Sequence, residues 1–177
     1  MEDNRVAVIY KSRYGSAKKY AQKIASLVHG DLFERKEVKF GEIPYYNTIA
    51  FVGSVYAGRI SGADVIAKNM DKIEDKKVAV IAVGMSKMNK EAIDTLFKNN
   101  FNEEQLKSIN CFYLRGALDI NKLNFFDKLI MKLMKKKVQK NTQSLTDDQK
   151  EFIALLENPY DWTDKEDINH IIDYINS

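Results

Sequence analysis

The sequence predicts a doubly wound α/β fold: a five-stranded parallel sheet in the order 2-1-3-4-5, helices on both faces, and a helical insertion after the last strand. Three observations predict this fold. Short apolar segments alternate with amphipathic segments along most of the chain. Segments 48–55 and 77–83 are apolar on both faces, as strands inside a parallel sheet are. Segment 17–28 repeats apolar residues every three or four positions, as amphipathic helices do.

The predicted strands and helices alternate as far as residue 114. Two helix starts carry the spacing of a capping box, at Ser61…Asp64 and at Asn102…Gln105. The predicted order is strand 5–10, helix 17–28, a weaker strand within 32–40, strand 48–55, helix 61–72, strand 77–83, helix 90–100, a short helix after Asn102, and strand 110–114.

Three further helical segments follow the last predicted strand, at 123–137, 148–157 and 165–175. The second and third of these are preceded by the capping-box pairs Thr146…Gln149 and Thr163…Glu166. A helical insertion therefore separates the last strand from the final helix.

Length and composition indicate a single globular domain. The chain has 177 residues, of which 45% are hydrophobic and 30% charged, and these proportions are usual for a protein with its own core. The charged N-terminus leads into only a short apolar run, so we predict no signal peptide. We expect a cytoplasmic protein with one domain over residues 1–177, in which 119–160 form a basic helical insertion before the final helix.

The loop after the first strand has the residues of an anion site. In this fold ligands bind at the carboxyl ends of the strands, and Ser12, Gly15 and Ser16 follow the first strand directly. N–H groups at a helix N-terminus bind anions, hydroxyls add donors, and glycine permits close approach. Neither a Walker loop nor the pattern G-x-G-x-x-G occurs in the sequence. The loop is therefore either a turn with an N-cap or a site for one phosphate group.

The segments after the two central strands favour the phosphate site. Residues 53–62 place three glycines around Tyr56. A planar ring ligand needs an aromatic wall and backbone groups near its polar edge, and this segment offers both. Residues 84–89 add polar backbone directly after a buried strand.

These motifs, in this order, resemble the flavodoxin-like FMN-binding domain family, and most closely the subgroup that includes menaquinone-dependent protoporphyrinogen dehydrogenases. Ser12, Gly15 and Ser16 fit the family's phosphate loop, whereas Tyr14 and Ala17 stand where the family often has hydroxyl donors. The stretches YAGRISG (56–62), RGALD (115–119) and YDWT (160–163) extend the resemblance over nearly the whole chain.

The resemblance implies FMN as the cofactor. Tyr56 would stack on the isoalloxazine ring, and Gly58 would permit the Ala57–Gly58 peptide to flip near the flavin N5. Arg59 would stabilise a reduced flavin if it reached the pyrimidine edge. We assign no catalytic acid or base and predict no metal site. The residues expected to contact FMN are Ser12, Arg13, Tyr14, Gly15, Ser16, Ala17, Ser54, Val55, Tyr56, Ala57, Gly58, Arg59, Gly84, Met85 and Ser86.

The resulting functional prediction is an FMN-dependent oxidoreductase or electron-transfer protein. It includes a protoporphyrinogen dehydrogenase-like enzyme that uses a quinone acceptor. The alternative is a non-catalytic interaction module that has lost flavin binding. A phospho-acceptor signalling domain is excluded, because no carboxylate stands at 10–12 or 53–55 to hold Mg²⁺ or accept phosphate.

The segment Lys122–Lys140 contains seven lysines and a single acid, Asp127. Two interpretations are open: an ordinary surface helix that packs its apolar stripe on the domain, or a helix that lies on an anionic membrane surface. The predicted partners are a redox partner protein or a quinone- or porphyrinogen-type small molecule. In the second interpretation, the segment Lys122–Lys140 would also contact the inner face of the membrane. The small net charge of +3 predicts no nucleic-acid partner. The stripe consists of Phe126, Leu129, Ile130, Leu133, Met134 and Val138.

Overall fold

The computed structural model describes residues 5–39, 41, 43–140 and 147–177. Its elements, in chain order, are β1 (Val6–Lys11), α1 (Ser16–Val28), β2 (Asp31–Glu34), β3 (Thr48–Tyr56), β4 (Arg59–Ile60), α2 (Asp64–Ala67), β5 (Lys77–Gly84), α3 (Lys90–Lys98), α4 (Glu103–Lys107), β6 (Asn110–Arg115), β7 (Ala117–Leu118), α5 (Phe125–Lys140), α6 (Asp147–Glu157), β8 (Tyr160–Asp161) and α7 (Asn169–Asn176).

The main sheet has the predicted topology. Its parallel strands lie in the order β2-β1-β3-β5-β6, which is the predicted order 2-1-3-4-5 once the two-residue strand β4 is set aside. β4 pairs antiparallel with the end of β3. The doubly wound fold is therefore confirmed.

β1, β3 and β5 form the buried centre of the sheet. Ile9, Phe51 and Val80 lie side by side in register and are completely inaccessible to solvent. They face α2 and α3, whereas the residues before each of them face α1 and α7. Burial on both faces explains why these strands read as continuous apolar runs.

Parallel pairing brings the carboxyl ends of the strands to one edge. Lys11 pairs with Gly53 near the end of β1, and Gly84 pairs with Arg115 at the ends of β5 and β6. The loops that follow these strands therefore converge, as the fold class requires.

The predicted capping boxes had different outcomes. At α4 the Asn102 side chain accepts from the Gln105 N–H at 2.8 Å, and the Gln105 side chain accepts from the Asn102 N–H at 3.0 Å, so this box is confirmed. The Ser61 box is wrong, because Gly62 has a φ of 81° and α2 begins after Ala63 without a side-chain cap.

Of the two boxes predicted for the last two helices, the one at Thr163 is wrong and the one at Thr146 stays untested. Thr163 hydrogen-bonds Asp161 instead of capping a helix, and α7 begins only at Asn169. The Thr146 box lies outside the described residues.

The predicted insertion after the last strand contains α5 and α6. They lie between β7 and β8, which pair antiparallel through Ala117↔Asp161 and Leu118↔Tyr160. Leu118, Leu123 and Leu156 form a small apolar cluster of their own beneath these helices. Within the described ranges, no helix has both the length and the apolar character needed to cross a bilayer.

Tyr20 connects α1 to the two segments that carry the insertion. Its side chain is fully buried, and its hydroxyl donates to the Arg115 carbonyl at 2.6 Å and to the Trp162 carbonyl at 3.3 Å. Burial raises the pKa of Tyr20 far above its ordinary value, so the hydroxyl stays protonated and remains a donor.

We expect Tyr20→Phe to lower the free energy of unfolding by about 1–2 kcal/mol, because it leaves a buried carbonyl without its donor. Urea denaturation followed by circular dichroism measures the change. Tyr45→Phe is the matched control, since Tyr45 is 67% exposed and a surface change of this kind costs at most about 0.5 kcal/mol. Equal stabilities of the two variants would contradict the structural role of the Tyr20 hydroxyl.

Candidate functional site

At the loop between β1 and α1, three serine hydroxyl oxygens accept hydrogen bonds from backbone N–H groups. Gly15 has a φ of 102°, a left-handed conformation that glycine adopts without strain, and α1 begins directly after it. The Ser12 hydroxyl oxygen accepts from the Gly15 N–H at 3.0 Å, and the Ser16 hydroxyl oxygen accepts from the Ala117 N–H at 2.9 Å. The Ser54 hydroxyl oxygen accepts from the Arg13 N–H at 3.1 Å.

The segment after β3 is a tight hairpin. Tyr56 and Arg59 pair across it, and both central residues have positive φ, 49° at Ala57 and 73° at Gly58. Two left-handed residues between antiparallel strands are the geometry of a type I′ turn, which usually avoids alanine at its first position. The Arg59 guanidinium donates to the Asn99 carbonyl at 2.8 Å, at the end of α3.

A buried carboxylate joins α5 to the first loop and to β3. Arg13 donates from Nε and Nη2 to Asp127 Oδ2 at 3.0 and 2.9 Å. The Tyr56 hydroxyl donates to Asp127 Oδ1 at 2.9 Å, and the Tyr14 hydroxyl donates to Asp127 Oδ2. Asn124 donates to Asp127 Oδ2 at 3.2 Å and accepts from the Asp127 N–H at 2.9 Å. We call these five residues the Asp127 cluster.

The electrostatics of the Asp127 cluster favour the ionised carboxylate. Burial would raise the pKa of Asp127, but the hydrogen bonds from Tyr14, Tyr56 and Arg13 outweigh it and hold this pKa below its ordinary value. The hydrogen bond to Asp127 raises the pKa of Tyr56. The Arg13 guanidinium also lies over the Tyr56 ring, 3.8 Å from the ring centroid. The cluster therefore holds one buried negative charge against one positive charge.

Two tyrosines fix the loop after β5. The Tyr113 hydroxyl donates to the Ser86 carbonyl at 2.5 Å, and the Tyr160 hydroxyl donates to the Met85 carbonyl at 2.6 Å. A Cβ at Gly84 would collide with the Tyr113 hydroxyl. This close packing explains why β5 ends in glycine.

These three segments and α5 enclose a small cleft of about 100 Å³, which we call the inner cleft. It brings together eight of the residues predicted from the sequence. These are Arg13, Tyr14, Ser16, Ser54, Val55, Tyr56, Gly84 and Met85.

The other predicted residues lie around the inner cleft but do not line it. Ser12 lies within the first loop and accepts from the Gly15 N–H, Gly15 faces a second cleft, and Ala17 is fully buried in the core. Ala57, Gly58 and Arg59 lie beyond it in the hairpin, and Ser86 contributes its carbonyl to Tyr113.

Sequence reasoning missed the fourth wall of the inner cleft. Its members are Val83, Gly116, Ala117, Leu118, Leu123, Asp127 and Met131. A signal was present for three of them: Leu123, Asp127 and Met131 are spaced four residues apart, and Asp127 is the one acid of a lysine-rich segment. Asp127 and Met131 share one face of α5, which points inward, and Leu123 lies just before the helix in an extended conformation.

A larger cleft of about 530 Å³ lies on the other side of Tyr14 and Leu123. The two clefts share the wall formed by Tyr14, Ser16, Ala117, Leu118 and Leu123. Further lining comes from Pro159 and Tyr160 and from a rim of lysines: Lys18, Lys19 and Lys122. Lys19 is paired with Asp161 at 2.7 Å.

The chain is similar to several solved flavoproteins at low sequence identity. Oxidised flavodoxin 1 from Bacillus cereus is 15% identical over 63% of this chain and 84% of its own, with a TM-score of 0.46. A flavoprotein in complex with FMN from Lactobacillus acidophilus is 17% identical over 63% of this chain and 92% of its own, with a TM-score of 0.43. A WrbA-like flavodoxin from Agrobacterium tumefaciens is 19% identical over 59% of this chain and 71% of its own, with a TM-score of 0.45.

The family assignment comes from the sequence itself. No curated protein matches the chain significantly. A family model described as a flavodoxin domain matches residues 7–146. This match spans most of the chain and includes the first loop, the hairpin, the inner cleft and α5. The chain therefore belongs to the flavodoxin domain family.

Proposed function

We propose that the chain is an FMN-dependent oxidoreductase or electron-transfer protein. The observation that carries the proposal is the donor set of the first loop. The hydroxyl oxygens of Ser12, Ser16 and Ser54 each accept a backbone N–H, and a hydroxyl that accepts in this way keeps its own proton for a ligand. With the N-terminus of α1, these hydroxyls supply the donors that a phosphate monoester needs.

The first loop also fits a phosphate group in shape. No atom lies within 4 Å of the place where a Cβ at Gly15 would stand, so the backbone faces open space there. Ala17 is buried and would contribute through its N–H group, which does not depend on its side chain. The Tyr14 hydroxyl is engaged by Asp127, so the serines, and not Tyr14, are the hydroxyl donors that we assign to the phosphate.

The remaining walls would hold the flavin ring. When bound, FMN supplies one- and two-electron redox chemistry, and the protein binds and orients it. Tyr56 offers an aromatic face, and Tyr113 and Tyr160 hold the carbonyls of Ser86 and Met85 in fixed directions. Gly58, which has no Cβ and a positive φ, permits the Ala57–Gly58 peptide to change its orientation.

The larger cleft supports a small amphipathic redox partner. Its apolar lining, including Leu118, Leu123 and Pro159, would receive a ring system. Lys18 at its rim would meet an acidic substituent, whereas Lys19 and Lys122 are paired with Asp161 and Asp119 of the same cleft. The larger cleft shares a wall with the inner cleft. A quinone or a porphyrinogen fits this description, and a protoporphyrinogen dehydrogenase-like activity is the finer form of the proposal. A redox partner protein is the alternative acceptor.

The outer face of α5 supports peripheral contact with an anionic membrane. Phe126 is 74% exposed and Leu133 57% exposed, so the apolar stripe does not pack on the domain as an ordinary surface helix would pack it. Lys132, Lys136 and Lys137 are exposed on the same helix. Apolar residues bordered by lysines suit the interface of a membrane with anionic lipids.

One observation favours the alternative of an interaction module without flavin. The inner cleft is small, and the Arg13 guanidinium already covers a face of Tyr56. A chain fixed permanently in this state would have no room for an isoalloxazine ring.

We expect the purified protein to bind FMN and to bind riboflavin more weakly, because riboflavin lacks the phosphate. Ser16→Ala should lower the affinity for FMN roughly tenfold or more and leave the affinity for riboflavin unchanged. Quenching of flavin fluorescence measures both constants, and Ser108→Ala, at the end of α4, is the matched control. Equal affinity for FMN and riboflavin would contradict the phosphate site. If neither flavin bound, the interaction module would be the remaining hypothesis.

We expect the protein to sediment with vesicles that contain phosphatidylserine and not with pure phosphatidylcholine. Replacing Lys132, Lys136 and Lys137 by Gln should weaken binding by roughly fivefold per lysine. The double variant Phe126→Ser/Leu133→Ser should weaken it as well, since both side chains are exposed. The control replaces Lys90, Lys98 and Lys107, three exposed lysines outside α5. Equal losses in the two lysine variants would contradict a specific role for α5.

A further inference from the structure

The attachment of α5 to the rest of the protein is unusual. Among the residues of α5 whose burial is described, Asp127 alone is buried, with 2% of its surface exposed. Helices on the surface of a protein are normally anchored by an apolar stripe. Here the largest apolar side chains, Phe125 and Phe126, are 75% and 74% exposed. Asp127 is therefore the one buried contact among these residues, beside the half-buried Met131 on the Leu118–Leu123–Leu156 cluster and the Lys135–Glu157 ion pair at 2.7 Å.

The Asp127 anchor is a set of polar contacts that water can replace. Four side chains outside α5 donate to the carboxylate: Asn124, just before the helix, and those of Arg13, Tyr14 and Tyr56 from other segments. The Arg13 side chain is 38% exposed, so Arg13 is hydrated as soon as the pair separates. A pair with both partners buried would be costly to break; here Asp127 is buried but Arg13 is partly in water, and moving α5 away would expose both partners to water.

The same helix closes the inner cleft. Leu123, Asp127 and Met131 line it on the side of α5, and Arg13 extends across it to reach Asp127. At about 100 Å³, the cleft is well below the roughly 300–1,000 Å³ of sites for small organic ligands. A flavin ring therefore needs more room than the inner cleft offers here, and a movement of α5 and Arg13 would provide it.

We propose that α5 is a lid over the inner cleft, which the Asp127 cluster latches shut and which opens when Asp127 leaves Arg13, Tyr14 and Tyr56. This inference rests on the proposed binding of FMN. With the latch closed, the flavin site is blocked, and the observed affinity equals the intrinsic affinity reduced by the open fraction. Asp127 is thus a positioning residue that acts through the helix that carries it.

Asp127→Asn tests the latch because it keeps the size of the side chain and removes its charge. An amide turns an N–H₂ group toward donors and cannot satisfy them all. Asp94→Asn is the matched control, since Asp94 is an exposed acid on α3 and its replacement changes the net charge equally. Tyr14→Phe removes one donor to the carboxylate and should give a smaller effect in the same direction.

The first measurement needs no flavin. Hydrogen–deuterium exchange of the free protein should be roughly tenfold faster within α5 in Asp127→Asn, with unchanged exchange in β5. Asp94→Asn should match the wild type. Unchanged exchange in α5 would overturn the latch, whether or not the protein binds FMN.

The second measurement is the association rate of flavins by stopped-flow fluorescence. An open lid should speed the association of FMN and of riboflavin by a similar factor, roughly tenfold. A gain for FMN alone would mean that the freed Arg13 attracts the phosphate, and it would overturn the lid. Unchanged rates for both flavins, with faster exchange in α5, would also overturn it. If no variant binds any flavin, the proposed function fails, and the exchange data alone then decide the latch.

Discussion

The architecture depends on three parallel strands that are buried on both faces. Because β1, β3 and β5 have no exposed face, each connection between them must run through a helix or a covered loop. All of their carboxyl ends then meet at one edge. The first loop, the β3–β4 hairpin and the loop after β5 converge there although they are far apart in the sequence. The position of the site is therefore determined by the sheet, and the residues of the loops determine its chemistry.

Features that depend on neighbouring residues could be predicted from the sequence. The apolar runs of β1, β3 and β5 gave the topology, and the box Asn102…Gln105 forms because its partners are three residues apart. The box at Ser61 fails because Gly62 turns the chain. The box at Thr163 does not form because the Thr163 hydroxyl donates to the Asp161 carboxylate instead. Local spacing cannot reveal such competing partners.

The fourth wall of the inner cleft was not predictable in the same way. Arg13 and Asp127 are 114 positions apart, and nothing in the spacing of either residue indicates the other. One of the two interpretations of the α5 stripe packed Phe126 and Leu133 against the domain, but the structure exposes both. The polar face carries the anchor instead. Packing between distant segments decided the orientation of the helix, and periodicity alone gives no information on such packing.

Helix α5 lies between the inner cleft and the outer surface of the protein. Its inner face closes the inner cleft through Asp127, and its outer face presents exposed aromatic side chains and lysines. A partner that binds the outer face would therefore act on the same helix that controls access to the cleft. In this arrangement the position of one helix determines both exposure to a partner and access for a ligand.

A crystal structure of the protein grown with FMN tests the central claim most directly. The account predicts that the phosphate lies within hydrogen-bond distance of Ser12, Ser16 and the N–H groups at the start of α1. The flavin ring should lie between Tyr56 and the loop at Met85, with Asp127 away from Arg13. A phosphate bound elsewhere, or a flavin ring outside this edge of the sheet, would contradict the account.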